Sequence, residues 1–217
     1  MNPVRVGIQG ADGKMGREVL SLIKTQPWAQ VWADLQTADA IIDFSSPVGC
    51  LQAAKLASKL KIPIVSGTTG LSAVQFKTLK ALAKKTPVLW SANMSWGIFG
   101  LRKMLKSFQS FKDYDFRIEE RHHKHKKDRP SGTAKVLRAD LERILARKIA
   151  RPLSVRAGST VGIHKIVAAS DNEMVILEHQ AFSRSAFAEG ALRATHWLLD
   201  RKPGFYSLED VYDDVSR

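Results

Sequence analysis

The sequence predicts an α/β fold: a doubly wound parallel sheet in the first part, then an α+β part with a mixed sheet. Three observations carry this. Short apolar runs alternate with stretches of helical period through the first 95 residues, the rhythm of repeated strand–helix–strand units. Glycines fill the junction between the first strand and the first helix. After Pro152 three strand-like runs follow one another without a helix between them, which favours antiparallel or mixed pairing.

Taken in order, "VRVGI" reads as a strand, and Met15, Val19, Leu20 and Ile23 then recur at helical spacing. "ADAIIDF" is nearly continuous in apolar residues, as expected of a strand buried on both faces. Pro47 suits the first turn of a helix carrying Leu51, Ala54, Leu56 and Leu60. "IPIVSG" is a further buried strand, Ser72 an N-cap for a helix through Lys85, and "PVLWSAN" the next strand. The rhythm then changes. "YDFRIEE" reads as a strand, and Ala134, Leu137, Leu141, Ile144 and Leu145 form the apolar stripe of a long helix. "LSVRAG", "IHKIVAA" and "MVILEHQAF" are the three successive strands, and "FAEGALRATHWLL" is helical again.

Bulk properties bound the function. The 217 residues suffice for one or two domains with sizeable cores. No apolar run reaches the ~18–20 residues of a membrane span, so no membrane partner is expected. Cys50 is the single cysteine, so no disulfide forms within the chain. With no signal-peptide pattern in "MNPVRVGIQG", a cytoplasmic setting is expected. The net charge of +13 attracts nucleic acid and small polyanions alike. Its lysines and arginines are scattered over several helices, including Lys77, Lys80, Lys84 and Lys85 on one and Arg138, Arg143, Arg147 and Lys148 on another. That distribution argues for solvated surface and against a nucleic-acid partner.

The glycine loop "GIQGADGKMG" follows the first strand. Such a loop lets backbone approach a pyrophosphate, while the next helix offers free N–H groups and a positive dipole end. Gln9 interrupts a strict G-x-G-x-x-G, so the loop also admits a plain glycine-rich turn. No G-K-[ST] ending is present, which excludes a P-loop nucleotidase. "GTTG" (67–70) and "SANM" (91–94) lie at expected C-terminal strand ends, where open α/β sheets bind ligands, although each taken singly is also an ordinary turn. Asp34 stands 18 residues beyond Gly16, near the ~20-residue spacing of a ribose-binding carboxylate.

The stretch "EERHHKHKKDRPSGTA" (119–134) concentrates imidazoles and cations. It admits a metal, a nucleic acid, an acidic small molecule or plain solvation. His122, His123 and His125 lack the i, i+4 spacing of a helical zinc pair, so no metal is expected. Pro130 and Ser131 precede a strong helix, which places Ser131, Gly132 and Thr133 at its anion-attracting N-terminus. Lys126 and several imidazoles stand beside it. Together they describe a site for a small carboxylate that gains a hydride and a proton.

"GADGKMG", "IIDFSSP", "GTTG", "SANMS" and above all "ERHHKHKKDRPSGTA" resemble the dihydrodipicolinate reductase (4-hydroxy-tetrahydrodipicolinate reductase) family of diaminopimelate and lysine biosynthesis. "RAGSTVGIH", "EHQAFSRSAFAEGALRATHWL" and "GFYSLEDV" extend the resemblance over nearly the whole chain. It implies a Rossmann-like dinucleotide-binding domain (1–95 and 187–217) and a substrate-binding and oligomerisation domain (96–186). It implies His122 as acid/base and Lys126 as catalytic lysine, with His123, Lys126, Ser131, Gly132 and Thr133 on the substrate. It implies cofactor contacts from Gly10, Ala11, Asp12, Gly13, Lys14 and Met15, from Phe44, from Gly67, Thr68 and Thr69, and from Ser91, Ala92, Asn93 and Met94. The expected activity is NADH- or NADPH-dependent reduction of a cyclic dicarboxylate by a homo-oligomer, a tetramer or a dimer. The alternative is a degenerate regulator that binds dinucleotide or carboxylate without turnover, against which the retention of His122 and Lys126 speaks. His125 and Lys124 receive no role.

Three departures from the family pattern stand out. Nine residues separate Asp34 from Phe44, where the family carries several tens. The segment between the long helix and "SVRAG" is short. Arg129 and Ile163 replace the usual alanine and glutamate.

Overall fold

The computed structural model describes residues 2–215. The chain forms two compact units, one from Met1–Trp96 with Arg184–Arg217 and the other from Gly97–Ser183. The second crossing falls three residues before the expected boundary at 186/187, because helix α6 (Ser185–Leu198) is a single rigid element and belongs wholly to the first unit.

The first unit is built on a six-stranded sheet. Its strands are β1 (Val4–Gln9), β2 (Ala29–Trp32), β3 (Ala40–Asp43), β4 (Ile64–Ser66), β5 (Pro87–Trp90) and, late in the chain, β10 (Gly204–Tyr206). They run in the order β10-β5-β4-β3-β1-β2, all parallel. All four residues of β3 are buried, as a strand covered by helices on both faces requires. Helix α1 (Lys14–Ile23) buries Val19 and Ile23 of the expected stripe, with Gly16 beside them, while Met15 and Leu20 are half-buried. Helix α2 (Pro47–Leu60) starts with Pro47 behind a Ser46 cap and buries Cys50, Ala53, Ala54 and Ala57. Helix α3 (Ala73–Leu82) has a capping box between Ser72 and Gln75. It stops at Leu82 and not at Lys85, because the N–H groups of Lys84 and Lys85 turn back to the carbonyls of Ala81 and Leu82.

In the second unit, β6 (Asp115–His122) pairs parallel with β7 (Leu153–Arg156) and antiparallel with β8 (Gly162–Ala169), which pairs antiparallel with β9 (Met174–Ala181). Helices α4 (Trp96–Met104) and α5 (Gly132–Leu145) supply apolar residues: Ile98 and Leu101 from α4, Leu137, Leu141 and Leu145 from α5. They share a core with Leu105, Phe108, Phe116, Ile118, Ile166 and Ala168. Of the described elements, β2, α4, β10 and a last helix α7 (Leu208–Val215) have no strong sequence signal. Strands β2 and β10 have four and three residues, too few to show a period.

Candidate active site

Strand β6 alternates strictly, with Phe116, Ile118, Glu120 and His122 buried and Asp115, Arg117, Glu119 and Arg121 exposed. The buried face therefore runs from apolar to ionisable within one strand. Strand β8 repeats this, with Ala168 and Ile166 at one end and His164 and Gly162 at the other. Pairing sets Ile118 opposite Ile166 and Glu120 opposite His164. Parallel pairing sets Arg156 of β7 beside His122. The polar ends thus converge on one patch of one sheet face.

Glu120 is the hub of this patch. Its side chain is fully buried, and Arg156, 1% exposed, grips it with two bonds, Nη1 to Oε2 at 2.8 Å and Nη2 to Oε1 at 2.6 Å. The His122 Nδ1 lies 2.5 Å from Glu120 Oε2, and the Ser131 N–H donates to Oε1 at 3.2 Å. Burial alone pushes the Glu120 carboxyl up. The Arg156 guanidinium and the other donors outweigh it and hold the group at about 2. A carboxylate fixed in its ionised form accepts the proton of Nδ1, which leaves Nε2 as the nitrogen outside that bond. Burial pulls His122 below its ordinary 6.5, and the charges of Lys126 and Arg156 add to this against the pull of Glu120. Burial and the neighbouring His122 and His179 push His164 down to about 3, so it is neutral. Its Nδ1 is buried without a hydrogen-bond partner among the described residues.

Beyond His122 the strand ends, so His123 and His125 lie in a turn and not on one face of a strand. Arg156 holds this turn too, donating to the carbonyls of Lys126 and Asp128 at 3.2 and 2.6 Å. The Lys126 ammonium sits 2.8 Å from Asp128 Oδ1. Ser131 caps α5, its Oγ accepting from the Ala134 N–H at 3.2 Å. Ser131 is 1% exposed, with both its N–H and its hydroxyl spent inside the protein. Its N–H and hydroxyl are thus not available for the substrate contact expected of Ser131. Gly132 is exposed, and Thr133 half-buried, at that start.

In the first unit the glycine loop has the features a pyrophosphate requires. Gly10 has φ +84°, and a Cβ on Gly16 would lie 2.1 Å from the Gly10 carbonyl oxygen. Only glycine fits either position. Gly13 caps α1 without a side chain, Ala11 is half-buried, and Asp12 and Lys14 are exposed, so no side chain caps the first N–H groups of the helix. These residues fit a dinucleotide. Buried Asp43 ties two neighbouring loops together, accepting from Ser66 Oγ at 2.7 Å, Thr68 Oγ1 at 2.8 Å, the Ser45 N–H at 3.1 Å and the Ser45 hydroxyl. Phe44 packs on Gly67, where a Cβ would come within 2.1 Å of its ring. The Thr68 hydroxyl therefore points inward, while Thr69 is exposed. In the next loop Ser91 and Met94 are buried, Asn93 is half-buried and Ala92 is exposed. Asp34 lies just past β2, exposed, and its carboxylate accepts from the Gln36 N–H at 2.9 Å and the Thr37 hydroxyl at 3.2 Å.

The sequence reading missed Glu120, Arg156 and His164. Glu120 carried a signal, since it lies two residues before His122 in a strand and so shares its face. Arg156 and His164 carried none, because only strand register brings them to His122.

Comparison with known proteins gives a consistent result. The family described as "Dihydrodipicolinate reductase, N-terminus" matches residues 29–94, and that described as "Dihydrodipicolinate reductase, C-terminus" matches residues 97–212. A 4-hydroxy-tetrahydrodipicolinate reductase of Bdellovibrio bacteriovorus is 42% identical over 222 residues, covering 97% of each chain. One from Caldanaerobacter subterraneus is 35% identical over 245 residues, covering 96% of this chain and 98% of its own. A solved dipicolinate-bound dihydrodipicolinate reductase from Paenisporosarcina sp. shares the fold, with a TM-score of 0.79 at 20% identity over 96% of this chain and 99% of that one. No helix among the described residues is long and apolar enough to cross a membrane. The chain belongs to the dihydrodipicolinate reductase family, whose members are oxidoreductases that act on a cyclic dicarboxylate with a nicotinamide dinucleotide.

Proposed function

We propose that this chain performs its family's reaction, the NAD(P)H-dependent reduction of 4-hydroxy-tetrahydrodipicolinate to tetrahydrodipicolinate, with His122 and Lys126 as its working groups. The observation that carries this assignment is the Glu120–His122 contact, which orients one nitrogen of the imidazole inward and leaves the other to exchange protons. When bound, the cofactor supplies a hydride. The product also needs a proton, one water leaves, and His122 Nε2 delivers the proton. The Lys126 ammonium and the backbone at Gly132 and Thr133 hold the substrate carboxylates, the first as a point charge and the second through the helix N-terminus. His123 flanks them. The first unit is the dinucleotide-binding domain and the second the substrate domain.

For the cofactor, Gly10 to Met15 take the pyrophosphate, and Phe44, Gly67 to Thr69 and Ser91 to Met94 line the rest. Asp34 reads the ribose: it is exposed past β2, and residues 33–38 include no lysine or arginine to clamp a 2′-phosphate. The nearby Arg5 is committed to Asp39 by bonds of 2.9 and 2.7 Å. Both cofactors are therefore used, with NADH favoured by about threefold to tenfold, the worth of one hydrogen bond. Comparison of kcat/KM for NADH and NADPH in wild type and Asp34→Ala tests this. A strong NADPH preference that survives the substitution overturns the role of Asp34. No turnover with either cofactor overturns the proposed reaction.

The outer face of the second sheet supports a homo-oligomer, dimer or tetramer. Leu153, Val155, Met174 and Ile176 are 45–59% exposed on it, and such a face is ordinarily covered by a partner. Light scattering at micromolar concentration should give a multiple of the 24.1 kDa chain mass. A monomer mass contradicts the assignment.

A further inference from the structure

The register of β6 and β8 sets Arg121 opposite Ile163. One step on, His122 faces Gly162, the first residue of β8. Directly opposed residues on one sheet face place their Cβ atoms ~4.5–5.5 Å apart, and their side chains normally pack on each other. Here the partner of the imidazole has no side chain. A Cβ built on Gly162 would lie 3.2 Å from His122 Nε2, 3.5 Å from its Cδ2 and 3.7 Å from His164 Cε1. The first of these is a tight contact, and the atom it meets is the nitrogen left free by the bond to Glu120.

The glycine is not explained by its backbone. Gly10, Gly70 and Gly158 are the described glycines with positive φ, and Gly162 is not among them. Although it opens β8, Gly162 is paired with Ala181 of β9 in the sheet, and a glycine among paired strand residues often marks a place where a ligand approaches closely. Nor is the imidazole free to move aside, since its Nδ1 is held 2.5 Å from a carboxylate that Arg156 grips with two bonds.

We infer that Gly162 is a positioning residue for the reaction: its missing side chain keeps His122 Nε2 open to the substrate. A methyl group there closes the approach to the one atom that must exchange a proton, while the strand itself tolerates alanine. The inference rests on the reading of His122 as the acid/base group.

Three variants separate the two ideas: Gly162→Ala, His122→Ala and the double variant. Two readouts are taken, steady-state kinetics and the rate at which diethylpyrocarbonate modifies His122, followed by mass spectrometry. Gly162→Ala should lower kcat by about tenfold to a hundredfold, the effect of a small misplacement at a reacting centre. Modification of His122 should slow in parallel, and the KM for the dinucleotide should hold. In the His122→Ala background the alanine should have no further effect on kcat, because the two changes act on one atom. Full activity and an unchanged modification rate in Gly162→Ala, with activity lost in His122→Ala, overturn the role of Gly162 alone. Full activity in His122→Ala overturns the reading beneath it. Should Gly162→Ala fail to fold, the double variant must fold, since it removes the imidazole that the methyl meets. A double variant that also fails to fold overturns the inference.

Discussion

In His122→Ala and in Lys126→Ala, kcat is expected to fall by ~10²–10⁴, the usual worth of a positioned proton donor or charge. Folding should be kept in both. Lys126 is partly exposed, and its ion pair among the described residues is with the exposed Asp128. Removing His122 leaves Glu120 still held by Arg156. The pH profile carries a sharper expectation. Burial holds His122 below 6.5, so the free enzyme is mostly in the basic form near pH 7. In the proposed reaction the acid form is the competent one. Hence kcat/KM should fall as pH rises, along a limb lying below 6.5. The Glu120 carboxylate raises the His122 value, so Glu120→Gln should move that limb to still lower pH. A limb that stays in place in Glu120→Gln would show that Glu120 does not act through His122.

Arg156→Met should be the most damaging single change to the second unit. The guanidinium holds Glu120, and through the carbonyls of Lys126 and Asp128 it also holds the turn that carries the lysine. Its loss leaves a buried carboxylate without a countercharge, which costs about 3–5 kcal/mol of stability. The sign of the pH dependence should change as well. In wild type the folded value of Glu120, about 2, is below its ordinary 4.5. That contribution to stability is present above 4.5 and lost as pH falls towards 2. Without Arg156, burial dominates, and the Glu120–His122 pair keeps a proton that the unfolded chain releases. Stability then falls as pH rises through neutrality. Thermal unfolding of both proteins across pH 3–8 checks this, and parallel curves would contradict it.

Much of the first unit was legible in the sequence because burial on both faces leaves a continuous apolar signature. "ADAIIDF" and "IPIVSG" became β3 and β4, and Ser72 capped its helix as expected. Edge strands were not legible: β2 exposes Gln30 and Val31 and so shows no clean pattern. In the second unit, the line of Phe116, Ile118, Glu120 and His122 could be read from period alone, once β6 was extended two residues past "YDFRIEE". Arg156, Gly162 and His164 could not. They come from two other strands, and a shift of one residue in register would send each to the opposite face. Ser131 shows the converse limit. Its position at a helix start was evident, but not that its N–H and hydroxyl would be used on Glu120 and Ala134 within the protein.

The central claim is that this chain reduces 4-hydroxy-tetrahydrodipicolinate with a proton from His122. The most direct test follows NADH and NADPH oxidation with freshly generated dihydrodipicolinate synthase product, in wild type and His122→Ala side by side. Stoichiometric oxidation by wild type, and a rate lower by ~10²–10⁴ in the variant, is the predicted result. Folded wild-type protein that oxidises neither cofactor, or a variant that turns over as fast as wild type, would contradict it.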